Sequence, residues 1–122
     1  MALTRIHHVG MVTSELENAR KLFCDGFGLS VDEHRTPWPE GRSGNGNSLS
    51  VVEFPIGEMY YEVTTPNDSD SSAAQFLDAS GGRGGIHYIS IASTDIGKDV
   101  QNLLNLSLIH ISEPTRRTPI SY

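Results

Sequence analysis

The sequence predicts an α+β fold: one strand–helix–three-strand (βαβββ) module, followed by the opening strand and helix of a second. Three observations predict it. The segment Ile6-His7-His8-Val9-Gly10-Met11-Val12 returns as Ile86-His87-Tyr88-Ile89-Ser90-Ile91-Ala92, with apolar and polar types matching down the register. Each copy runs into a helix-opening stretch, Thr13-Ser14-Glu15-Leu16 in the first and Ser93-Thr94-Asp95-Ile96 in the second. Between the copies lie two strong strand patterns, and a glycine-rich linker precedes the second copy. A repeat at this long spacing, with a strand leading into a helix each time, implies a duplicated module rather than a solenoid.

The elements follow in order. Residues 5–13 alternate and are rich in Ile and Val, which reads as a strand. Ser14 and Glu17 form a capping-box pattern, and Leu16, Ala19, Leu22 and Phe23 give a helical stripe that ends near Gly26 and Gly28. The lone cysteine, Cys24, lies on that helix and is expected in the core. A short strand is expected around 29–35. Thr36 to Asn47, with Trp38 between two prolines, has loop composition. Ser48 to Phe54 and Glu58 to Thr64 read as strands joined by a turn at Pro55-Ile56-Gly57. Pro66 to Asp70 is a loop and cap, and Ser72 to Ala79 a short helix that buries Phe76 and Leu77. The linker is 81–85, followed by a strand at 86–93 and a helix at 95–105. The domain reading is therefore 1–80 for the first module with its connecting helix, and 86–105 for the start of the second.

The last stretch, 106–122, is expected to be foreign. Leu106 to Arg116 reads LSLIHISEPTR, which resembles one translated frame of a transposon-derived sequencing adaptor. His110 is accordingly no ligand candidate, and the second module is expected to stop short, as in a gene fragment. Such a chain should expose sheet edges that a whole second module covers.

The 122 residues suit one modest domain, and a net charge of -6 argues against a nucleic-acid surface. No apolar run approaches the ~20 residues of a membrane helix, so a cytoplasmic location is expected.

Period-two alternation puts Ile6, His8, Gly10 and Val12 on one face of the first strand, and Tyr60, Glu62 and Thr64 together on the fourth. An imidazole and a carboxylate projecting from neighbouring strands into one cavity are two of the ligands that a divalent transition metal takes. The same two groups equally suit a satisfied strand histidine beside a solvated glutamate.

The runs IHHVGMV, SELENARKLF and FGLSV resemble the opening of the vicinal-oxygen-chelate (glyoxalase/bleomycin-resistance/dioxygenase) superfamily. The run SLSVVEFPIGEMYYEVTTP, then AAQFL and GGRGGIHYISI, is similar to the methylmalonyl-CoA epimerase family within it. The resemblance covers roughly residues 5–105 and implies a cup-shaped sheet built from paired modules. It assigns His8 to the first metal ligand and Glu62 to the ligand on the fourth strand. Tyr88 falls where the second module of relatives supplies a histidine ligand, and a last-strand glutamate ligand has no counterpart. Glu53 lies on the strand where some members place an acid/base carboxylate.

The activity so implied is metal-dependent proton transfer at the carbon α to a thioester, with Glu53 and Glu62 as catalytic carboxylates. Trp38, Arg42 and Tyr88 would contact substrate, which could be an acyl-CoA, and the intact protein would be a homodimer. The metal could be Co, Mn, Ni, Zn or Fe. A metal-free small-molecule binder of the bleomycin-resistance kind, which Tyr88 favours, and an Fe(II) dioxygenase are the alternatives. His7 alternates away from His8 and is expected on the opposite face, and His87 is expected to be structural. Light scattering should find aggregates or strand-exchanged dimers; a clean monomer would contradict the fragment reading.

Overall fold

The computed structural model describes residues 2–106, so the reading of the tail beyond Leu106, His110 included, lies outside the described residues. A five-stranded sheet carries the fold, in the order β2-β3-β4-β1-β5. The strands are β1 (Leu3–Val12), β2 (Arg42–Gly44), β3 (Leu49–Ile56), β4 (Met59–Pro66) and β5 (Gly85–Ser93). β1 runs parallel to β4 on one side and antiparallel to β5 on the other. Its parallel pairing requires a long crossover, which the first helix, the following loop and the β3–β4 hairpin provide. That hairpin turns at Gly57, whose φ of 58° is strained for any residue with a side chain.

Helix α1 (Leu16–Arg20) continues directly into a π-helical turn, Lys21–Gly26. Together they lay Ala19 and Phe23 on Val52, Phe54 and Val63 to make the core, with Cys24 half-buried beside it. The Phe23 ring lies 5.0 Å from Phe54 and 4.9 Å from Tyr61. The capping box read at Ser14 and Glu17 does not form. Glu15 is the cap residue, and Glu17 instead takes Arg20 in a two-point ion pair at 2.8 and 3.1 Å. The helix starts one residue later than that pattern needs, which leaves Ser14 outside the cap position and frees the Glu17 carboxylate for the guanidinium.

The strand expected at 29–35 is also absent. The Asp32 side chain accepts from the Arg35 amide at 3.1 Å and folds the chain into a turn, a local bond that competes with sheet pairing. The segment still serves β3: the Asp32 amide donates to the Glu53 carbonyl, and the Thr36 hydroxyl accepts from the Glu53 amide. The paired edge lies instead at Arg42–Gly44, inside what composition marked as loop.

Helices α2 (Ser72–Ala79) and α3 (Ile96–Asn105) match the sequence reading. Each is capped by a side-chain oxygen at its N-terminus, Ser71 to the Ala74 amide and Asp95 to the Lys98 amide. In α2, Ala73 is buried, while Phe76 and Leu77 are only half-buried. Asp99 of α3 is fully buried and accepts from Ser93 Oγ at 2.7 Å and the Ala2 amide at 3.0 Å. That carboxylate ties the chain's start to the end of β5. Within this frame, Phe54→Ala should cost about 3–5 kcal/mol in denaturant unfolding, because Phe54 is fully buried. A loss below ~1 kcal/mol would show that this cluster is not the core.

Candidate functional site

The sheet face opposite the core carries the chemistry. Alternation sends Val52, Phe54, Tyr61 and Val63 toward the helix and leaves Glu53, Tyr60 and Glu62 on the other side. Glu53 of β3 pairs with Glu62 of β4, Glu62 with Gly10 of β1, and Gly10 with Tyr88 of β5. These four residues form one continuous row across four strands. Gly10 has no side chain, so the Tyr88 ring lies over it; a Cβ at Gly10 would collide with that ring. Across this gap the Tyr88 hydroxyl reaches Glu62 Oε1 at 2.7 Å.

His8 stands on the same face. Its ring stacks on Tyr60, 4.8 Å between centroids and 10° between planes, and its Nε2 lies 3.1 Å from the Tyr88 hydroxyl. The His8 Nε2 to Glu62 Oε2 distance is 3.9 Å. His7, expected on the opposite face, is brought here as well: His7 and His8 Nδ1 atoms are 2.8 Å apart. The cause is a β-bulge. Ile6 pairs with Ile91 and His8 with Ser90, so His7 is an extra residue that breaks strict alternation.

Proton counting fixes the polarity of this chain of bonds. Glu62 is a carboxylate and only accepts, so the Tyr88 hydroxyl spends its single proton there. Its oxygen must then accept from His8, which places a proton on Nε2. His8 Nδ1 is left with a lone pair and accepts from His7 Nδ1–H. Burial lowers the His8 pKa more than neighbouring Glu62 raises it, so the ring stays neutral as this polarity requires. Burial, then the charge of Glu62, pushes the Tyr88 phenol well above its ordinary value. Tyr60 rises for the same first reason, with Glu53 and Glu62 adding to it.

Two carboxylates directly opposite each other repel. Arg42 offsets this by touching both, with Nη1 at 2.8 Å from Glu53 Oε2 and Nη2 at 3.4 Å from Glu62 Oε2. Arg35 adds a second contact to Glu53 at 3.4 Å while lying over the Tyr60 ring. Glu53 itself is 1% exposed, sealed beneath these two guanidinium groups. Among the described residues, no buried side-chain nitrogen or oxygen lacks a partner.

Of the residues singled out from sequence, His8, Glu53, Glu62, Arg42 and Tyr88 come together. Trp38 does not: it packs against the core cluster on the helix side, with Arg20 5.5 Å above its ring. His87 packs on Phe76 at 4.8 Å, away from Glu62, in keeping with a structural role. Sequence reasoning missed Arg35, Tyr60 and His7. Alternation had placed Tyr60 beside Glu62, which was the available signal; Arg35 left none.

As a metal site, the donor set is incomplete. His8 and Glu62 converge, but Tyr88 is a neutral phenol and His8 Nε2 carries a proton. Among the described residues no three His, Cys, Asp or Glu side chains gather as ion ligands. The described residues therefore do not by themselves fit a resident divalent cation, which takes at least three protein ligands in catalytic zinc sites.

Removing Arg42 would leave Glu53 buried with one longer contact and facing Glu62. Arg42→Ala should destabilise the protein by about 1–3 kcal/mol, the lower range reflecting partial exposure of the arginine. Adding Glu53→Gln should recover most of the loss in urea unfolding. An additive double variant would mean that Arg42 does not act through Glu53.

Comparison with known proteins places the fold. The family model of the Glyoxalase/Bleomycin resistance protein/Dioxygenase superfamily matches residues 7–119. The mitochondrial methylmalonyl-CoA epimerase of Bos taurus is 31% identical over 114 residues, 93% of this chain and 61% of that protein. The chain thus spans about three fifths of the length of this curated relative. The crystal structure of methylmalonyl-CoA epimerase from Mycobacterium tuberculosis superposes with a TM-score of 0.73 at 21% identity, covering 96% of this chain and 73% of that one. A variant of the Streptomyces coelicolor enzyme, solved with 2-nitronate-propionyl-CoA, gives 0.72 at 20% identity, covering 95% and 81%. At these identities the two structures establish the shared architecture. With its βαβββ module and a family match over nearly its whole length, this chain belongs to the glyoxalase/bleomycin resistance protein/dioxygenase superfamily.

Proposed function

We propose that this chain binds an α-activated carbonyl compound, such as an acyl-CoA thioester, over the open sheet face and moves a proton at the carbon α to that carbonyl. The observation that carries the reading is the convergence of one carboxylate and two neutral donors: Glu62, His8 Nε2–H and the Tyr88 hydroxyl. Removing an α-proton develops negative charge on the carbonyl oxygen as the enolate forms. His8 would turn its donor from the Tyr88 oxygen, and Tyr88 its donor from Glu62, toward that oxygen, stabilising charge where it appears. Glu62 would take the proton and return it, the chemistry of an epimerase. Glu53, sealed under its guanidinium partners, positions Arg42 rather than meeting substrate. Arg42 is then placed for a carboxylate oxygen on the substrate.

The relatives that are methylmalonyl-CoA epimerases support this reading of the substrate class. The described residues do not complete a ligand set for a divalent cation such as Co, Mn, Ni, Zn or Fe, so the proton transfer above uses the chain's own groups. A homodimer in the cytoplasm is the setting that goes with this proposal; among the described residues, no helix is long and apolar enough to cross a membrane.

A second reading is small-molecule binding without turnover. It is favoured by Arg42, which contacts both carboxylates and would weaken either one as a base. The iron dioxygenase reading needs a second imidazole ligand, and among the described residues His87 faces Phe76 instead. Deuterium uptake at the α-carbon of propionyl-CoA and methylmalonyl-CoA in heavy water separates the first two. The wild type should exchange, and Glu62→Gln should lose roughly 100-fold or more, the scale of a general base. Binding of either thioester with no exchange above buffer would replace the enzyme reading with the binding one.

A further inference from the structure

Relatives of this chain raise the expectation of a cation between His8 and Glu62, and the position between those two side chains is already filled. The Tyr88 hydroxyl lies 3.1 Å from His8 Nε2 and 2.7 Å from Glu62 Oε1, bonded to both at once. Its seat is built rather than incidental. Gly10 stands between Glu62 and Tyr88 in the strand register, and its missing side chain is the space that the ring occupies. The His8 ring is held from two further sides, stacked on Tyr60 and bonded through Nδ1 to His7. Since Glu62 can only accept, the bonds run one way: His7 to His8, His8 to Tyr88, Tyr88 to Glu62. The Nε2 lone pair that a metal ion needs is therefore absent in this arrangement, and one Glu62 oxygen is occupied by the phenol. The other oxygen faces Arg42, a cation already in place.

We infer that Tyr88 takes the place of a metal ion in this centre: its hydroxyl joins His8 to Glu62 by hydrogen bonds, so the site closes without a divalent cation and would hold one only after Tyr88 is exchanged for a ligating side chain. The inference concerns how the centre is held together. It stands whether or not the protein moves a proton, and it can be tested without turnover.

Titration with Co(II), read by its visible ligand-field absorption, compares the wild type with Tyr88→His and Tyr88→Phe. Tyr88→His adds a third nitrogen or oxygen donor and should bind at least ~100-fold more tightly than the wild type, beyond the 10–100-fold scale of a supporting hydrogen bond. Tyr88→Phe keeps the ring over Gly10 but removes the hydroxyl and adds no ligand; it should gain less than ~10-fold. Because Tyr88→His could fail to fold, imidazole ¹⁵N NMR of the wild type gives an independent reading. The His8 resonances should show a neutral ring protonated at Nε2, unchanged by stoichiometric Zn(II). Wild-type binding as tight as that of Tyr88→His, a folded Tyr88→His no tighter than wild type, or His8 resonances that shift with Zn(II) would each overturn the inference.

Discussion

Gly10 is the constraint on which the site depends. It lies in β1, between β4 and β5, with a carboxylate on one side and a phenol on the other. Any side chain there would fill the volume that the Tyr88 ring now uses to reach over β1. Without that reach, Glu62 would lose a short hydrogen bond, and His8 Nε2 would lose its acceptor. Glycine weakens a strand by leaving the backbone freer and nothing to pack, at roughly 0.5–1 kcal/mol relative to alanine. Here the cross-strand aromatic ring supplies the missing packing, and β1 is paired on both sides at this point, to β4 and to β5.

Charge is the second organising element, and the site is balanced by contacts rather than by solvent. Glu53 and Glu62 would repel across the β3–β4 pair if left alone. Arg42 spans them, Arg35 closes over Glu53, and the Tyr88 proton quiets the far oxygen of Glu62. The guanidinium groups stay partly exposed while the Glu53 carboxylate is buried, so desolvation falls mainly on the carboxylate, which meets two cations that offset it. That arrangement explains why a fully buried glutamate is tolerated in the middle of a strand. It also leaves Glu62, 16% exposed in its side chain, as the carboxylate nearest the open face.

Much of the framework was legible from local pattern. Alternation of small and branched residues identified β1, β3, β4 and β5, because a sheet with one packed face imposes a period of two. The β1–β5 repeat pointed to Tyr88 as the odd member of the site. The failures have specific causes. The 29–35 strand was lost to the Asp32 turn, and the Ser14 cap to a helix that starts one residue later, with Glu15 as its cap; both are local choices that pattern does not rank. His7 was misplaced because a bulge shifts alternation by one residue, and a bulge exists only once a partner strand sets the register. Trp38 sits in a proline-flanked stretch whose course depends on which side of the sheet it crosses.

The sequence by itself determined the α+β class, the order of strands and helices, and the placing of His8 and Glu62 on inward-facing positions of neighbouring strands, since periodicity and family likeness are properties of the chain alone. What that face contains was decided by the tertiary structure. Parallel docking of β4 on β1 and antiparallel docking of β5 align Glu53, Glu62, Gly10 and Tyr88 in one row, although they are far apart along the chain. Only that register carries the phenol to Glu62 and folds two arginines over Glu53, because hydrogen bonds and ion pairs act over ångströms and long-range strand pairing sets which groups come that close.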